Sequence, residues 1–231
     1  MLEVAKLIGA PGSLRLLGVV VGVLVLLWLV RPRWRRRLVV MSFAVAGLYL
    51  MLALPMVANA IAGQLPYVAP VPDSALAEVD RLVVFDGDNR RGRARTAIAL
   101  VQAHHPREVH VLGMGWMVEA LDVGGVPRHD IRHDVRPANT LEQVRALAAL
   151  ESSNPGVRTV VIVSRLQAPR TRALLDATGS PALVIGAPID VEPPTHGAMT
   201  LVPRYIALRV SRDAIYELVA LRYYRWKGWI R

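Results

Sequence analysis

The chain has 231 residues, of which 53% are hydrophobic, and carries a formal net charge of +10 at neutral pH. Seven lysines and arginines against one acidic residue lie in the first 61 positions, which leaves a net charge of only +4 for the rest. This small surplus, without a zinc-finger, RNA-binding or basic-helix motif, argues against nucleic acid as a partner. The absence of cysteine excludes disulfides, thiolate metal sites, a cysteine nucleophile and a lipoprotein anchor.

Two apolar runs flank an arginine-rich segment near the amino terminus. Leu16–Val30 is uninterrupted, Leu38–Ile61 is nearly so, and five arginines lie between them in Arg31–Arg37. A membrane-spanning helix needs about 20 mostly apolar residues. We therefore predict a two-helix transmembrane hairpin in residues 1–62, with spans at about 12–30 and 38–61, and the lipid bilayer as a partner.

The positions of the basic residues predict the orientation of this hairpin. Arginine and lysine next to a span stay on the cytoplasmic side, and residues 62–80 contain neither. We predict a multi-pass protein of the plasma (inner) membrane, with both termini and the following domain on the outer side. One alternative is open, because Ala58-Asn59-Ala60 has the form of a signal-peptidase site and cleavage after Ala60 would release the rest of the chain.

After a linker at 63–80, residues 81–231 show apolar strands that alternate with helical patterns. This alternation is typical of an α/β domain with a mainly parallel, Rossmann-like sheet. The predicted strands are Leu82–Phe85, Glu108–Leu112, a short one at Ile131, Arg158–Val163 and Ala182–Ile185. The predicted helices are Arg93–Gln102, Trp116–Val123, Asn139–Leu150, Pro169–Ala177 and a last one at Ser211–Tyr224 with Ser211 as its N-cap.

Polar, glycine-containing turns follow the strands, at the sheet edge where ligands of such folds bind. The arginines, the glycines and the N–H groups at the starts of the helices in these turns suit an anion. The loops in question are 86–93, 113–119, 139–142, 164–170 and 186–190. Ordinary turns and helix caps would have the same composition, so each loop taken alone has a purely structural interpretation.

The order of these signals resembles the SanA/ElyC/YdcF-like family of bacterial proteins, from about Leu82 to the carboxyl terminus. Six motifs occur in the family's order. They are a glycine turn before an Arg-x-x-x-Ala helix, a strand ending in glycines before Glu-Ala, a Gly-Val-Pro, a Thr-x-Glu, a strand ending in serine before Pro-Arg, and an aromatic basic tail. Here they are Gly87, Arg93, Ala97; Gly113, Gly115, Glu119, Ala120; Gly125-Val126-Pro127; Thr140, Glu142; Ser164, Pro169, Arg170; and Tyr223–Trp229. The hairpin ahead of the domain is most similar to the ElyC branch.

The resemblance implies a Rossmann-like fold and a role in bacterial cell-envelope biogenesis, in peptidoglycan or lipid-carrier metabolism. Three positions depart from the family pattern. Gln167 stands where histidine is common, Gln143 where asparagine is common, and the first turn is unusually acidic at Asp86 and Asp88. Since glutamine does not transfer protons near neutral pH, turnover and binding without turnover both remain open.

We predict that the domain binds an anionic envelope metabolite or a lipid-linked sugar, without a cofactor. Arg93 and Arg170 would hold the anion, and Glu119 and Glu142 are the candidates for acid/base catalysis or for gripping sugar hydroxyls. The full predicted ligand site is Gly87, Asp88, Arg93, Gly113, Gly115, Glu119, Thr140, Glu142, Ser164, Gln167 and Arg170.

Two other functions are compatible with the sequence. The first is a non-catalytic scaffold or regulator that recruits envelope-synthesis proteins in the membrane. The second is a Mg²⁺-dependent phosphohydrolase, because Val83–Asp88 resembles the strand-then-Asp-x-Asp opening of haloacid-dehalogenase-type phosphatases, with Asp86 as nucleophile and Asp88 as acid/base. A domain without lysine before Lys227 and without an Asp-Asp pair counts against the phosphohydrolase.

Overall fold

The computed structural model describes residues 14–87 and 89–231 and groups them into two compact units. The first unit comprises the described residues up to Leu65 together with Val191–Ala220. The second comprises Pro66–Asp190 together with Leu221–Arg231. Asp88 of the predicted site lies outside the described residues.

The first unit is helical. Its amino-terminal helices are α1 (Leu14–Val30), a 3₁₀ turn (Pro32–Trp34), α2 (Arg35–Leu52) and α3 (Pro55–Ala62). In the described part of the chain, no helix taken singly has both the length and the apolar composition needed to cross a bilayer. The segments Leu16–Val30 and Pro32–Leu52 meet those requirements only as a pair, and their axes are bent by 119° at the break.

The predicted second span is therefore divided, because α2 ends at Leu52 and Pro55 begins a new helix. Proline suits the first turn of a helix but lacks the N–H that would continue the preceding one. Packing against a segment distant in the sequence then fixes α3 within the first unit. The side-chain amide of Asn59 donates to the carbonyl oxygen of Pro194 over 3.0 Å, and Ala58 is fully buried.

The last long helix, α9 (Tyr205–Trp226), follows a 3₁₀ turn at Ala198–Leu201 and starts six residues earlier than predicted. Ser211 is therefore not an N-cap but a helix-interior residue. Its side chain is fully buried, and its hydroxyl donates to the carbonyl oxygen of Leu52 over 2.7 Å. The carbonyl oxygen of Ala53 likewise accepts a hydrogen bond from the backbone N–H of Arg204, so this region satisfies the backbone groups at the end of α2.

The second unit is an α/β domain built on five parallel strands in the order β3-β2-β1-β4-β5. The strands are β1 (Arg81–Phe85), β2 (Glu108–Leu112), β3 (Ile131–Asp134), β4 (Thr159–Ser164) and β5 (Leu183–Ala187). The intervening helices are α4 (Asp73–Leu76), α5 (Arg90–His104), α6 (Trp116–Val123), α7 (Thr140–Ser153) and α8 (Ala168–Thr178), with a 3₁₀ turn at Arg128–Asp130. The predicted α/β class and parallel sheet are confirmed.

The alternation of side chains along the strands explains the layered core. On one sheet face, Leu82, Val84 and Val111 pack with Ala97 of α5 and Leu121 of α6 in a continuous hydrophobic cluster. Right-handed crossovers place α7 and α8 on the opposite face, and these helices bury their own apolar residues, Val144, Leu147, Leu174 and Leu175. Both faces of the sheet are thus covered, as an all-parallel sheet requires.

Candidate functional site

The strand order defines where the site lies. The chain runs outward from β1 to β2 and β3, then returns to place β4 and β5 on the other side of β1. In open α/β sheets, ligands bind at the carboxyl ends of the strands where this order reverses. Here the order reverses between β1 and β4. We call the edge around the end of β1 at Phe85, between the ends of β2 and β4, the switch-point crevice.

Asp86 is the first residue after β1 and is only 8% exposed. Its Oδ1 accepts a hydrogen bond from the backbone N–H of Gly87. Its Oδ2 is buried and has no hydrogen-bond partner among residues 14–87 and 89–231. Burial raises the pKa of Asp86. Hydrogen bonds from the Gly87 amide and the Trp116 side chain and the charge of the Arg93 guanidinium act in the opposite direction without cancelling that effect.

Arg93 lies inside the wall of the crevice, with 1% of its surface exposed. Its guanidinium donates to the carbonyl oxygen of Phe85 and, over 3.1 Å, to Oε1 of Gln167. Gln167 in turn donates through Nε2 to the hydroxyl of Thr140 over 2.6 Å. This chain of polar contacts joins β1, the start of α8 and the start of α7, so Arg93 and Gln167 hold together the elements that surround the crevice.

Gln143 and Gly113 connect β1 and β2 at the same edge. The Gln143 side-chain amide donates to the backbone oxygens of Asp86, over 3.0 Å, and of Leu112, over 2.9 Å. Gly113 adopts a φ of +122°, and a Cβ there would lie 2.7 Å from the Cβ of Asp86. Glycine is therefore required at this position both by conformation and by close approach.

Glu142 is occupied at the start of α7. Its backbone N–H donates to Oδ1 of Asn139 over 3.1 Å, and its carboxylate accepts from the backbone N–H of Ala138 over 2.7 Å and from the Asn139 amide. This reciprocal arrangement resembles a capping box, with asparagine in the place of serine or threonine and with the Glu142 carboxylate on the N–H of Ala138, one residue before the N-cap. The carboxylate predicted to act as acid or base thus serves as a helix cap in this conformation.

The other predicted residues are distributed around the same edge. Glu119 is exposed on α6, and in the described part of the chain no hydrogen bond or ion pair connects it to the crevice. A Cβ at Gly115 would lie 3.3 Å from the His133 ring, whose Nε2 is 2.7 Å from the carbonyl oxygen of Gly113. Ser164 is buried at the end of β4, and its carbonyl oxygen accepts from the backbone N–H of Gln167.

Arg170 is buried on α8 and points toward the end of α9. Its guanidinium carbon lies 5.5 Å from the centroid of the Tyr224 ring, and its Nη1 donates to the Tyr224 hydroxyl over 3.3 Å. Stacking of a guanidinium on an aromatic face is favourable, and more so where water is excluded. Arg170, which lies one helical turn after Gln167 on α8, is thus paired with an aromatic residue of α9.

The start of α5 is held by residues that follow β5. Asn89 is buried in a left-handed conformation, and its side chain donates to the carbonyl oxygen of Pro188 and accepts from the N–H of Asp190. The carboxylate of Asp190 accepts from the backbone N–H of Gly92 over 2.6 Å. A carboxylate at a helix amino terminus is favoured by the exposed N–H groups there, so Asp190 caps α5 instead of pointing toward Asp86.

Two residues at the mouth of the crevice were not predicted from the sequence, Arg90 and Trp116. The guanidinium carbon of Arg90 lies 4.8 Å from the centroid of the Trp116 ring, and both side chains act on the carboxyl group of Asp86. Each is the first residue of a helix that follows a strand end. Their positions directly after strand ends could have marked them as candidate site residues. Their stacking could not be predicted, because it depends on how β1–α5 and β2–α6 lie side by side.

The crevice therefore combines a partly unsatisfied buried carboxyl group, two glycines in close approach to Arg93 and Asp86, and an exposed arginine on an aromatic ring. In the described ranges, no three His, Asp or Glu side chains are grouped so that they could hold a metal ion. No protein-family model matches the sequence, and no curated protein matches it significantly.

Proposed function

We propose that the protein is a bilayer-anchored component of the bacterial cell envelope, and that its α/β domain binds an anionic, hydroxyl-bearing envelope metabolite, such as a lipid-linked sugar phosphate, in the switch-point crevice. The observation that carries this proposal is Oδ2 of Asp86, which is buried without a hydrogen-bond partner among the described residues. Buried polar atoms in native structures are almost always satisfied. A ligand hydroxyl placed here would complete the hydrogen bonds of this carboxyl group.

The anionic part of the ligand is assigned to the mouth of the crevice. Arg90 is exposed and is held in place by stacking on Trp116, so its guanidinium is pre-oriented for a phosphate or carboxylate. The first backbone N–H groups of α6 follow Gly115 at the same edge and add positive potential. Arg93 supports this arrangement from inside the wall, through Phe85 and Gln167.

The bilayer anchor is proposed from the composition and exposure of the amino-terminal helices. Many large apolar side chains of α1 and α2 are exposed, among them Leu26, Leu29 and Phe43. The five arginines of Arg31–Arg37 lie in the turn between these two helices and in the first turn of α2, where anionic lipid headgroups would neutralise them. An exposed apolar surface of this extent calls for a nonaqueous neighbour, and the envelope role is the expectation that the family resemblance adds.

Binding by the full chain in mild detergent tests the proposal. The probes are inorganic phosphate, N-acetylglucosamine 1-phosphate and a short-chain polyprenyl phosphate, measured by isothermal titration calorimetry. We expect saturable binding of the sugar phosphate, which Arg90→Gln weakens about tenfold or more, since a charge-assisted hydrogen bond contributes about 1.5–3 kcal/mol. Arg91→Gln is the matched control, because Arg91 is the adjacent exposed arginine on the same helix.

Equal affinity in the Arg90→Gln and Arg91→Gln variants would contradict the assignment of the anion to Arg90. A well-folded chain that binds none of the probes would contradict the ligand-binding proposal as a whole and favour the scaffold function. The full chain is needed for these measurements because the first unit contains segments from before β1 and from after β5. Removing the amino-terminal helices would therefore divide that unit.

A phosphohydrolase is a second candidate, favoured by one observation. Asp86 stands directly after β1 at the switch point, where an aspartate nucleophile would attack a phosphoryl group, release the alcohol and leave an acyl phosphate for water to cleave. The raised pKa of Asp86 works against this role, since the nucleophile must be ionised. Mg²⁺-dependent release of phosphate from para-nitrophenyl phosphate, abolished in Asp86→Asn, would identify this activity.

A further inference from the structure

The end of the chain carries a cluster of basic and aromatic side chains that the proposed ligand site does not use. Residues 218–231 contain four cations and no acidic residue. The cations Arg222, Arg225, Lys227 and Arg231 are all exposed. Trp226 lies among them with 74% of its surface exposed. We call these five residues the tail patch.

The tail patch is an ordered surface. Helix α9 ends at Trp226, and the backbone N–H groups of Trp229 and Gly228 donate to the carbonyl oxygens of Tyr224, over 3.0 Å, and Arg225, over 2.9 Å. With Gly228 at a φ of +69°, this is the Schellman motif that commonly ends helices. The apolar contact that accompanies the motif is present too, because the rings of Tyr224 and Trp229 are 5.1 Å apart.

The inner side of the same turn is fixed to the α/β domain. Tyr224 and Ile230 are buried, and Arg170 of α8 stacks on Tyr224 and donates to its hydroxyl. Arg170 lies one helical turn after Gln167, which belongs to the wall of the switch-point crevice. The tail patch is therefore held near the edge of the sheet that carries the crevice.

We propose that the tail patch is a docking surface for an anionic lipid bilayer. An indole side chain prefers the boundary between water and lipid, and lysine and arginine beside it are attracted to anionic headgroups. Lys227 keeps its ammonium 4.7 Å from the Trp226 ring centroid, so the charge and the aromatic surface are presented together. Docking at this point brings the α8 edge of the crevice toward the membrane surface, where lipid-linked molecules are found.

This inference stands independently of the ligand proposed for the crevice. It also differs from anchoring by α1 and α2, because insertion of these helices is driven by their apolar side chains, whereas docking of the tail patch depends on its charge. The two membrane contacts are separable by where the contact is measured and by substitution of the tail-patch cations.

The experiment places a fluorescent reporter at the tail. The chain has no cysteine, so one cysteine added after Arg231 can be labelled specifically with the environment-sensitive dye NBD. The full chain is then combined with vesicles of phosphatidylcholine alone or of phosphatidylcholine with phosphatidylglycerol. We expect brighter, blue-shifted NBD emission with the phosphatidylglycerol vesicles, and loss of this change at high salt because screening weakens the attraction.

The test variant is Arg222→Gln/Arg225→Gln/Lys227→Gln, and we expect it to lower the ratio of docked to undocked tail about a hundredfold. Trp226→Ala, which removes the exposed indole without a charge, should lower it by a smaller factor. The matched control is Arg91→Gln/Arg95→Gln/Arg145→Gln, which removes the same number of exposed cations from α5 and α7 and should leave the emission change intact. Circular dichroism verifies that each variant folds.

An NBD signal that does not respond to phosphatidylglycerol would overturn the proposal. Equal losses in the tail-patch variant and in the control variant would overturn it as well, since a general effect of net charge would then explain the binding. If the label responds to single-stranded DNA or to an acidic peptide and not to the vesicles, the patch serves a different partner and the lipid assignment is wrong.

Discussion

Both ends of the central strands bury charged side chains, yet the two ends satisfy them differently. At the amino end, the Glu108 carboxylate accepts from the buried Arg81 over 2.7 Å and lies 3.3 Å from Arg132 and 3.2 Å from His110. The charge of Arg81 is thus paired, although its Nη1 is buried without a hydrogen-bond partner among the described residues. At the carboxyl end, the carboxyl group of Asp86 accepts from the Gly87 N–H on Oδ1 and interacts with the Trp116 side chain, and its Oδ2 is without a hydrogen-bond partner in the described part of the chain. Compensated charge stabilises a fold, whereas an uncompensated group is a cost that a ligand can relieve.

The pKa values follow the same division. The hydrogen bond from Arg81 lowers the pKa of Glu108 despite partial burial, whereas burial raises the pKa of Asp86. Two carboxyl groups at opposite ends of neighbouring strands thus differ in the direction of their shift because only one has a buried guanidinium as a direct partner. We infer that the amino edge is structural and that the carboxyl edge is the functional one.

The largest expected effect comes from breaking the compensated edge. Glu108→Gln leaves the guanidinium of Arg81, which is 1% exposed, without its carboxylate, and we expect the free energy of unfolding to fall by about 3 kcal/mol. Because the folded pKa of Glu108 is lowered, this stabilisation is present above its ordinary pKa and is lost as the pH falls through the folded value. Urea unfolding of the full chain in mild detergent, followed by circular dichroism, measures the difference.

Glu78→Gln is the control for this change, because Glu78 forms an exposed ion pair with Arg158. Exposed pairs contribute little to stability, so this variant should unfold almost as the parent does. If Glu108→Gln and Glu78→Gln had equal effects, the amino edge would not be the compensated, structural end of the sheet.

An intermediate effect is expected where the frame of the carboxyl edge is tightest. A Cβ at Gly92 would lie 2.0 Å from the carbonyl oxygen of Pro188, so Gly92→Ala must displace either α5 or the turn after β5. We expect a loss of about 2 kcal/mol, typical of overpacking a rigid site. Hydrogen exchange should become faster at the start of α5 and at 188–190, while Arg91→Ala, at an exposed neighbouring position, should leave exchange unchanged.

Much of the α/β domain could be predicted because its signals are local. Apolar runs between polar turns mark β1 and β2 almost to the residue, since a strand buried on both faces must be apolar throughout. The break before Pro55 was missed although the proline is a local signal for it, whereas the early start of α9 depends on contacts between distant segments. Ser211, for example, is explained by its hydrogen bond to Leu52, which no local pattern reveals.

The candidate site divides in the same way. Gly87, Arg93, Thr140 and Gln167 were predicted to lie at one edge because strand ends of a parallel sheet meet there, and they are joined by contacts in the structure. What each side chain does could not be predicted. Glu142 caps its own helix, a role readable afterwards from the three-residue spacing to Asn139, and the Arg90–Trp116 stack requires the relative placement of two helices.

A smaller but more discriminating effect is expected at Asp86. Asp86→Asn keeps an oxygen that accepts from the Gly87 N–H and removes the buried charge, so we expect the free energy of unfolding to rise by about 1 kcal/mol near neutral pH. Burial raises the folded pKa of Asp86. The contribution of Asp86 to the stability of the parent is therefore fully present below the ordinary Asp pKa, and it is lost as the pH rises through the folded pKa. The gain of the variant should therefore vanish in acid.

Asp134→Asn provides the opposite case at the same edge of the sheet. Its partner Arg136 lowers the pKa of Asp134 to about 2, so this substitution should cost stability at neutral pH, and the cost should shrink only as the pH falls toward that value. The cost stays well under 1 kcal/mol because Arg136 is exposed. Urea unfolding of both variants at neutral and acidic pH compares the two slopes. Slopes of the same sign would mean that Asp86 is compensated like Asp134, and that the carboxyl edge holds no unsatisfied group for a ligand to bind.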